Sequence, residues 1–172
     1  MCDCYKKESL TIKIKKIDSN LPELEKLEIG NWIDLKVSSV LEVKNKVKIP
    51  WSFDGINDRS YLYLDKNKHY YCKLGFAAQL PEGYEAYILP RSSTFKSWGM
   101  LLANGKGIID NSYSGENDEW IASMYSTRGT CIYQYDRIVQ FRIQKIMPKI
   151  NIEYVDCLTN PDRNGFGSTG KS

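Results

Sequence analysis

Histidine is almost absent from this chain: His69 is the only one in 172 residues. A single imidazole excludes two-histidine metal sites, and His69 lies in the charged, aromatic run Lys66-Asn67-Lys68-His69-Tyr70. That run reads as a solvated turn or strand edge, not as the base of a catalytic triad. Catalysis must then rest on carboxylates and metal. Long apolar runs are missing too; residues 1–20 alternate charged and apolar positions, which suits neither a signal peptide nor a membrane span. No run of five like charges occurs, and the net charge of +3 is too small for a nucleic-acid scaffold. A small anionic ligand fits that surface. The five cysteines, odd in number and scattered, suit a reducing, cytoplasmic setting better than a disulfide framework. Cys2-x-Cys4 has no second ligand pair at metal spacing. Helical periodicity is scarce, confined to residues 21–27, with Pro22 in the first turn, and residues 92–98, so at most two short helices are expected.

What the chain does have is alternation. Residues 10–14, 37–43, 84–89, 120–125, 138–143 and 150–154 show the period of two that marks half-buried strands. Turn signals such as Pro81-Glu82-Gly83, Gly105-Lys106-Gly107 and Arg128-Gly129 separate them. This predicts a single all-β domain of jelly-roll or barrel spacing over residues 1–159. Residues 44–70, rich in turn residues and tyrosine, read as an inserted hairpin or excursion. Residues 160–172 hold only one large apolar residue, Phe166, and read as a flexible arm.

Four segments carry candidate chemistry. Pro90-Arg91-Ser92-Ser93 follows a strand and opens a short helix with Ser92 or Ser93 as N-cap; it reads either as a plain cap or as a phosphate site of N–H groups, guanidinium and hydroxyls. Residues 107–115 place Asp110 after an apolar run and Tyr113 three residues later, so Asp110 is either a turn residue or a group that activates water. In Tyr135-Asp136-Arg137-Ile138-Val139-Gln140-Phe141, Gln140 must reach solvent or find a partner. The string Gly165-Phe166-Gly167-Ser168-Thr169-Gly170-Lys171-Ser172 matches a Walker A loop, yet no buried parallel strand precedes it and no helix follows within this sequence. Phosphate contact by a tail with Arg163 nearby is the reading that remains.

Taken in order, Asn31-Trp32-Ile33-Asp34-Leu35, Pro90-Arg91-Ser92-Ser93, residues 107–115, Asp136-Arg137-Ile138-Val139-Gln140 and residues 163–170 resemble the five ordered motifs of the trimeric dUTPase family. Leu80-Pro81-Glu82-Gly83-Tyr84 is similar to relatives from Gram-positive bacteria and their phages. The resemblance implies a distorted jelly roll of the dUTPase-like β-clip kind, a homotrimer with shared active sites, and hydrolysis of dUTP to dUMP and pyrophosphate with magnesium (Mg). By the same resemblance, Asp110 orients and deprotonates the attacking water and holds the ribose 3′-hydroxyl. Tyr113 packs under the sugar where a 2′-hydroxyl would clash. Asn104 and the backbone at Gly107 and Ile108 read uracil, and Arg91, Ser92 and Ser93 contact phosphate. Gln140 meets phosphate or the metal's water shell, Asp34 supports that shell from further away, and no side chain ligates the metal directly. Arg163, Gly167, Ser168 and Thr169 close over the γ-phosphate, with Phe166 or an aromatic near Trp120 stacking on uracil. Tyr135 stands where the family commonly has a turn glycine, and Asn31-Trp32 where it more often has Ala-Gly. Two other functions stay open: dCTP deamination on the related fold, and a nucleotide-gated module that holds a regulatory protein partner through Tyr61, Tyr63, Tyr70 and Tyr71 of the 44–70 segment.

Overall fold

The structure, a computed structural model, describes residues 9–162. In chain order its elements are β1 (Lys13–Lys16), β2 (Ile33–Lys36), β3 (Ser39–Glu42), β4 (Val47–Ile49), β5 (Ser52–Asp54), β6 (Arg59–Leu64), β7 (Lys68–Gln79), β8 (Tyr84–Pro90), α1 (Thr94–Trp98), β9 (Met100–Leu102), β10 (Gly107–Ile109), β11 (Glu119–Ser126), β12 (Thr130–Tyr133) and β13 (Arg137–Lys145). All pairings are antiparallel. One sheet runs β4-β3-β7-β11-β9 with β1 also on β7, a second runs β10-β8-β13-β2, and a small third runs β12-β6-β5. The two larger sheets enclose the core, as a jelly roll requires. No helix among the described residues is long and apolar enough to cross a membrane.

Trp120 sits wholly buried in that core, with Phe76 at 5.0 Å and Phe141 edge-on at 5.2 Å between ring centroids. Truncating such a ring costs about 3–5 kcal/mol. An indole sealed between sheets serves the fold, so a ring that stacks on uracil from this region would have to be a neighbour of Trp120 and not Trp120 itself.

The longest strand, β7, breaks the alternation by which strands are recognised. Residues 74–78 are buried without interruption, because this stretch has neighbours on both faces. Along one edge β7 pairs first with β3 and then with β1. Gly75 marks the change of partner: its φ is +76°, its carbonyl accepts the N–H groups of Ile17 and Asp18, and a Cβ there would lie 2.8 Å from Ser38 Cβ. Only glycine satisfies both the dihedral and the approach.

Two other expectations are revised, at residues 21–27 and 150–154, and the hairpin reading of residues 44–70 takes definite form. Residues 21–27 form no helix; Leu21 is buried and its N–H closes a turn on the Asp18 carbonyl, after which the chain runs on irregularly. Residues 44–70 are regular, forming the β3–β4 and β5–β6 hairpins. Their tight turns use Lys46 at φ +53° and Asp58 at φ +50°, while Leu62, Leu64 and Tyr70 enter the core. Residues 150–154 alternate in sequence yet form no strand, since no sheet edge of the described chain receives them.

Tyr135 takes the left-handed conformation, φ +66°, at the turn position where glycine would be unstrained. Its ring packs on the core and its hydroxyl donates to Asp18 Oδ2 at 2.9 Å, a carboxylate that also accepts from Ser38 Oγ. Burial first, then this bond to Asp18, pushes the phenol up to about 12 from 10.0. Because the folded value is raised, the stability it contributes is complete below 10 and is lost as pH rises toward 12. Urea melts from about pH 9 to 12 should therefore fall more steeply for the wild type than for Tyr135→Phe.

Candidate active site

The turn between β9 and β10 carries the chain from one large sheet to the other, and Asn104 is exposed on it. Along β10 Gly107 and the Ile109 side chain lie on the buried face, whereas Ile108 faces out. Asp110 continues the outward row. Gly107 allows β10 to lie close on β8, since a Cβ there would come 3.1 Å from Ile88 Cβ. As the outer strand of its sheet, β10 also offers main-chain N–H and C=O groups along its open edge.

The loop after β10 is locked at several points. Asp110 Oδ1 accepts the Ser112 N–H at 2.8 Å and the Ser112 hydroxyl at 2.6 Å, and these bonds hold its carboxyl below the usual carboxylate value. Asn111 Nδ2 donates to the carbonyls of Pro81 and Tyr84. The Tyr113 N–H returns to the Asp110 carbonyl at 3.0 Å, and its hydroxyl donates to the Glu119 carbonyl at 3.1 Å. Tyr113 remains 40% exposed beside the carboxylate.

A cationic group forms elsewhere, where β8 ends against β13 and β2. Gln140 stands opposite Asp34 on β2 and Leu89 on β8, and its Nε2 donates to the Pro90 carbonyl at 3.1 Å. Arg91 Nε pairs with Asp34 Oδ1 at 2.8 Å, Arg137 Nη1 with Asp34 Oδ2 at 3.2 Å, and Arg91 Nη1 donates to the Arg137 carbonyl. Both oxygens of Asp34 are therefore committed to guanidinium groups, and its first role is to hold Arg91. Regular strand pairing presents Asp34 despite the Asn31-Trp32 departure, with Trp32 lying under the Arg142 guanidinium. Ser93 takes the N-cap position of α1 without a side-chain cap bond, while Thr94 Oγ1 ties the turn to the Ile138 carbonyl at 2.6 Å.

Asn104, Gly107, Ile108, Asp110 and Tyr113 thus form one group, and Asp34, Arg91, Ser92, Ser93 and Gln140 another. Their separation follows from register. Ile109 pairs with Ala86, so Asp110 lies level with Glu85, six residues along β8 from Arg91. At strand rise this is about 20 Å. Arg163, Phe166, Gly167, Ser168 and Thr169 lie outside the described residues. Sequence reasoning passed over Arg137, Asn111 and Glu119. Arg137 could have been found from its place beside Gln140 in the same motif, but nothing local marks the other two.

Comparison with known proteins identifies the family. Residues 55–171 match the dUTPase family model. The SPbeta prophage-derived deoxyuridine 5'-triphosphate nucleotidohydrolase YosS of Bacillus subtilis (strain 168) is 41% identical over 161 residues, covering 94% of this chain and 99% of that protein. Among solved structures, the dUTPase of Staphylococcus bacteriophage 80alpha with dUPNHPP aligns with a TM-score of 0.64 at 18% identity, over 93% of this chain and 98% of that one. It is described as controlling transfer of virulence genes by a proto-oncogenic G protein-like mechanism. A mutant dUTPase from phage phi11 of S. aureus, described as revealing the coordination of a structural Mg(II) ion, aligns with a TM-score of 0.62 at 14% identity, over 85% of this chain and 97% of that one.

Fold and matches together define a nucleotide hydrolase of the jelly-roll kind. Within that class the chain belongs to the dUTPase family, the enzymes that hydrolyse deoxyuridine 5'-triphosphate.

Proposed function

We propose that this enzyme converts dUTP and water to dUMP and pyrophosphate by in-line attack on the α-phosphorus, at a site built from two subunits of a homotrimer. The observation that carries this reading is the outward row on and beside β10, where Asn104, Ile108 and Asp110 stand exposed and the Tyr113 ring follows in the next loop. Uracil offers an acceptor, a donor and an acceptor on one edge, which the Asn104 amide and the open edge of β10 complement. Asp110 takes a proton from water as the new P–O bond forms, and the bond to the bridging oxygen breaks to release pyrophosphate. Tyr113 packs against the deoxyribose and leaves no room for a 2′-hydroxyl. Arg91, Ser92, Ser93 and Gln140 hold the phosphates, with Arg163, Ser168 and Thr169 closing over them.

The separation of about 20 Å between Asp110 and Arg91 along β8 favours a shared site, because a triphosphate is far shorter. The exposed apolar residues Ile150, Ile152 and Tyr154 fit the same assembly, alternating as a strand does and unpartnered within the described chain.

Among the described residues no three His, Cys, Asp or Glu side chains gather to cage a metal, and Asp34 is taken up by two arginines. The residues fit a magnesium ion that would be carried on the triphosphate, where the Gln140 amide would meet its water shell and Asp34 would act only by holding Arg91. Such an ion supplies charge neutralisation on the phosphates. Pyrophosphate release measured across dUTP, dTTP, UTP and dCTP, with and without magnesium, tests reaction, base, sugar and metal together. Release from dUTP is expected to exceed release from the other three by a wide margin; ammonia from dCTP overturns the reading.

A second role, binding a regulatory protein through residues 44–70, draws support from Phe53, Ile56 and Tyr63, which stand exposed on β5, β6 and the turn joining them. Tyr70 belongs to the core and takes no part.

A further inference from the structure

We infer that Glu119 is a positioning residue for sugar selection, acting on the substrate through Tyr113. The inference rests on the reading that the Tyr113 ring packs against deoxyribose. Glu119 begins β11 beside an irregularity in its pairing with β7, between Glu119 and Ile121. Its side chain is buried, its Oε1 accepts the Gly75 N–H at 3.0 Å, and its Oε2 pairs with Lys73 Nζ. Gly75 itself cannot shift: its left-handed φ, its doubly bonded carbonyl and its contact with Ser38 fix it in the central strand. The Glu119 carboxylate therefore bolts the start of β11 to the most constrained point of the sheet. From that point the Glu119 carbonyl receives the Tyr113 hydroxyl. Asn111 pins the other end of the same loop to the carbonyls of Pro81 and Tyr84, so the ring is held between two anchors.

A ring that excludes one hydroxyl does so only if it cannot yield. Steric discrimination is lost when the wall moves by a fraction of an atom, whereas binding of the accepted substrate suffers little. Releasing the Glu119 anchor should therefore degrade the preference for dUTP over UTP more than it degrades turnover of dUTP.

The test is kcat/KM for dUTP and for UTP, by pyrophosphate release from the full chain with magnesium, for five variants. Glu119→Ala should lower the dUTP:UTP preference about tenfold, while Glu119→Gln, which keeps an oxygen for the Gly75 N–H, should hold it within about twofold of wild type. Tyr113→Phe, which loses only the hydroxyl bond and is the variant least able to disturb folding, should also lower the preference. Tyr113→Phe/Glu119→Ala should fall no further than the weaker single variant, the mark of two groups acting in series. Tyr113→Ala is the control on the underlying reading. Preference retained in Tyr113→Phe or Glu119→Ala but lost in Tyr113→Ala overturns the positioning role and leaves the sugar contact standing. Preference retained in Tyr113→Ala overturns both.

Discussion

Asp110→Asn is expected to lower kcat for dUTP by about 10²–10⁴-fold, with KM little changed. The amide keeps an oxygen for the Ser112 N–H and hydroxyl, so the loop retains its shape and only the negative charge and the basic site disappear. The same two bonds set the pH dependence. They lower the Asp110 pKa from 3.8, so the carboxylate is fully available at neutral pH and the acid limb it contributes lies below that ordinary value. Turnover attributable to this group is lost only as pH falls through the lowered pKa. Retention of more than a tenth of wild-type turnover in Asp110→Asn would remove Asp110 from the role of base.

Arg91→Ala is the second large expected effect and should lower kcat/KM by about 10²–10³-fold. Two losses coincide: a cation aimed at the phosphates, and the brace that Asp34 and the Arg137 carbonyl receive from Nε and Nη1. Arg91→Lys should recover little, because an ammonium cannot serve those two acceptors and a phosphate in one plane. Steady-state kinetics read beside thermal melts separate the causes. Asp34 keeps Arg137 in either variant, so the melting temperature should move by only a few degrees while kcat/KM collapses. A matching loss of stability would make the effect structural.

The jelly roll was legible because most of its strands are half-buried, and β8, β11 and β13 announce themselves by alternation. Where burial departs from that pattern, sequence reasoning failed in a physical way. Strand β7 is covered on both faces over residues 74–78, so its period vanishes, and the hairpins of residues 44–70 hide core residues among turn residues. The opposite error came at residues 150–154, where alternation specifies a face but cannot specify that a surface to meet it exists in the same chain. The candidate site was legible as motifs and not as geometry. Asp110, Tyr113, Arg91 and Gln140 carry chemistry in their side chains, whereas Glu119 and Asn111 matter through bonds to Gly75, Pro81 and Tyr84, far away in sequence. Nor could sequence reveal that Asp34 faces two arginines.

The central claim is that one chain carries two halves of different sites, with Asp110 and Arg91 about 20 Å apart along β8. Its most direct test is to unfold Asp110→Asn and Arg91→Ala together, refold the mixture at equal amounts and measure pyrophosphate release from dUTP. If each site draws Asp110 from one subunit and Arg91 from another, random trimers restore about a quarter of wild-type activity although each variant alone is inactive. Mixtures no more active than the separate variants would contradict the shared site.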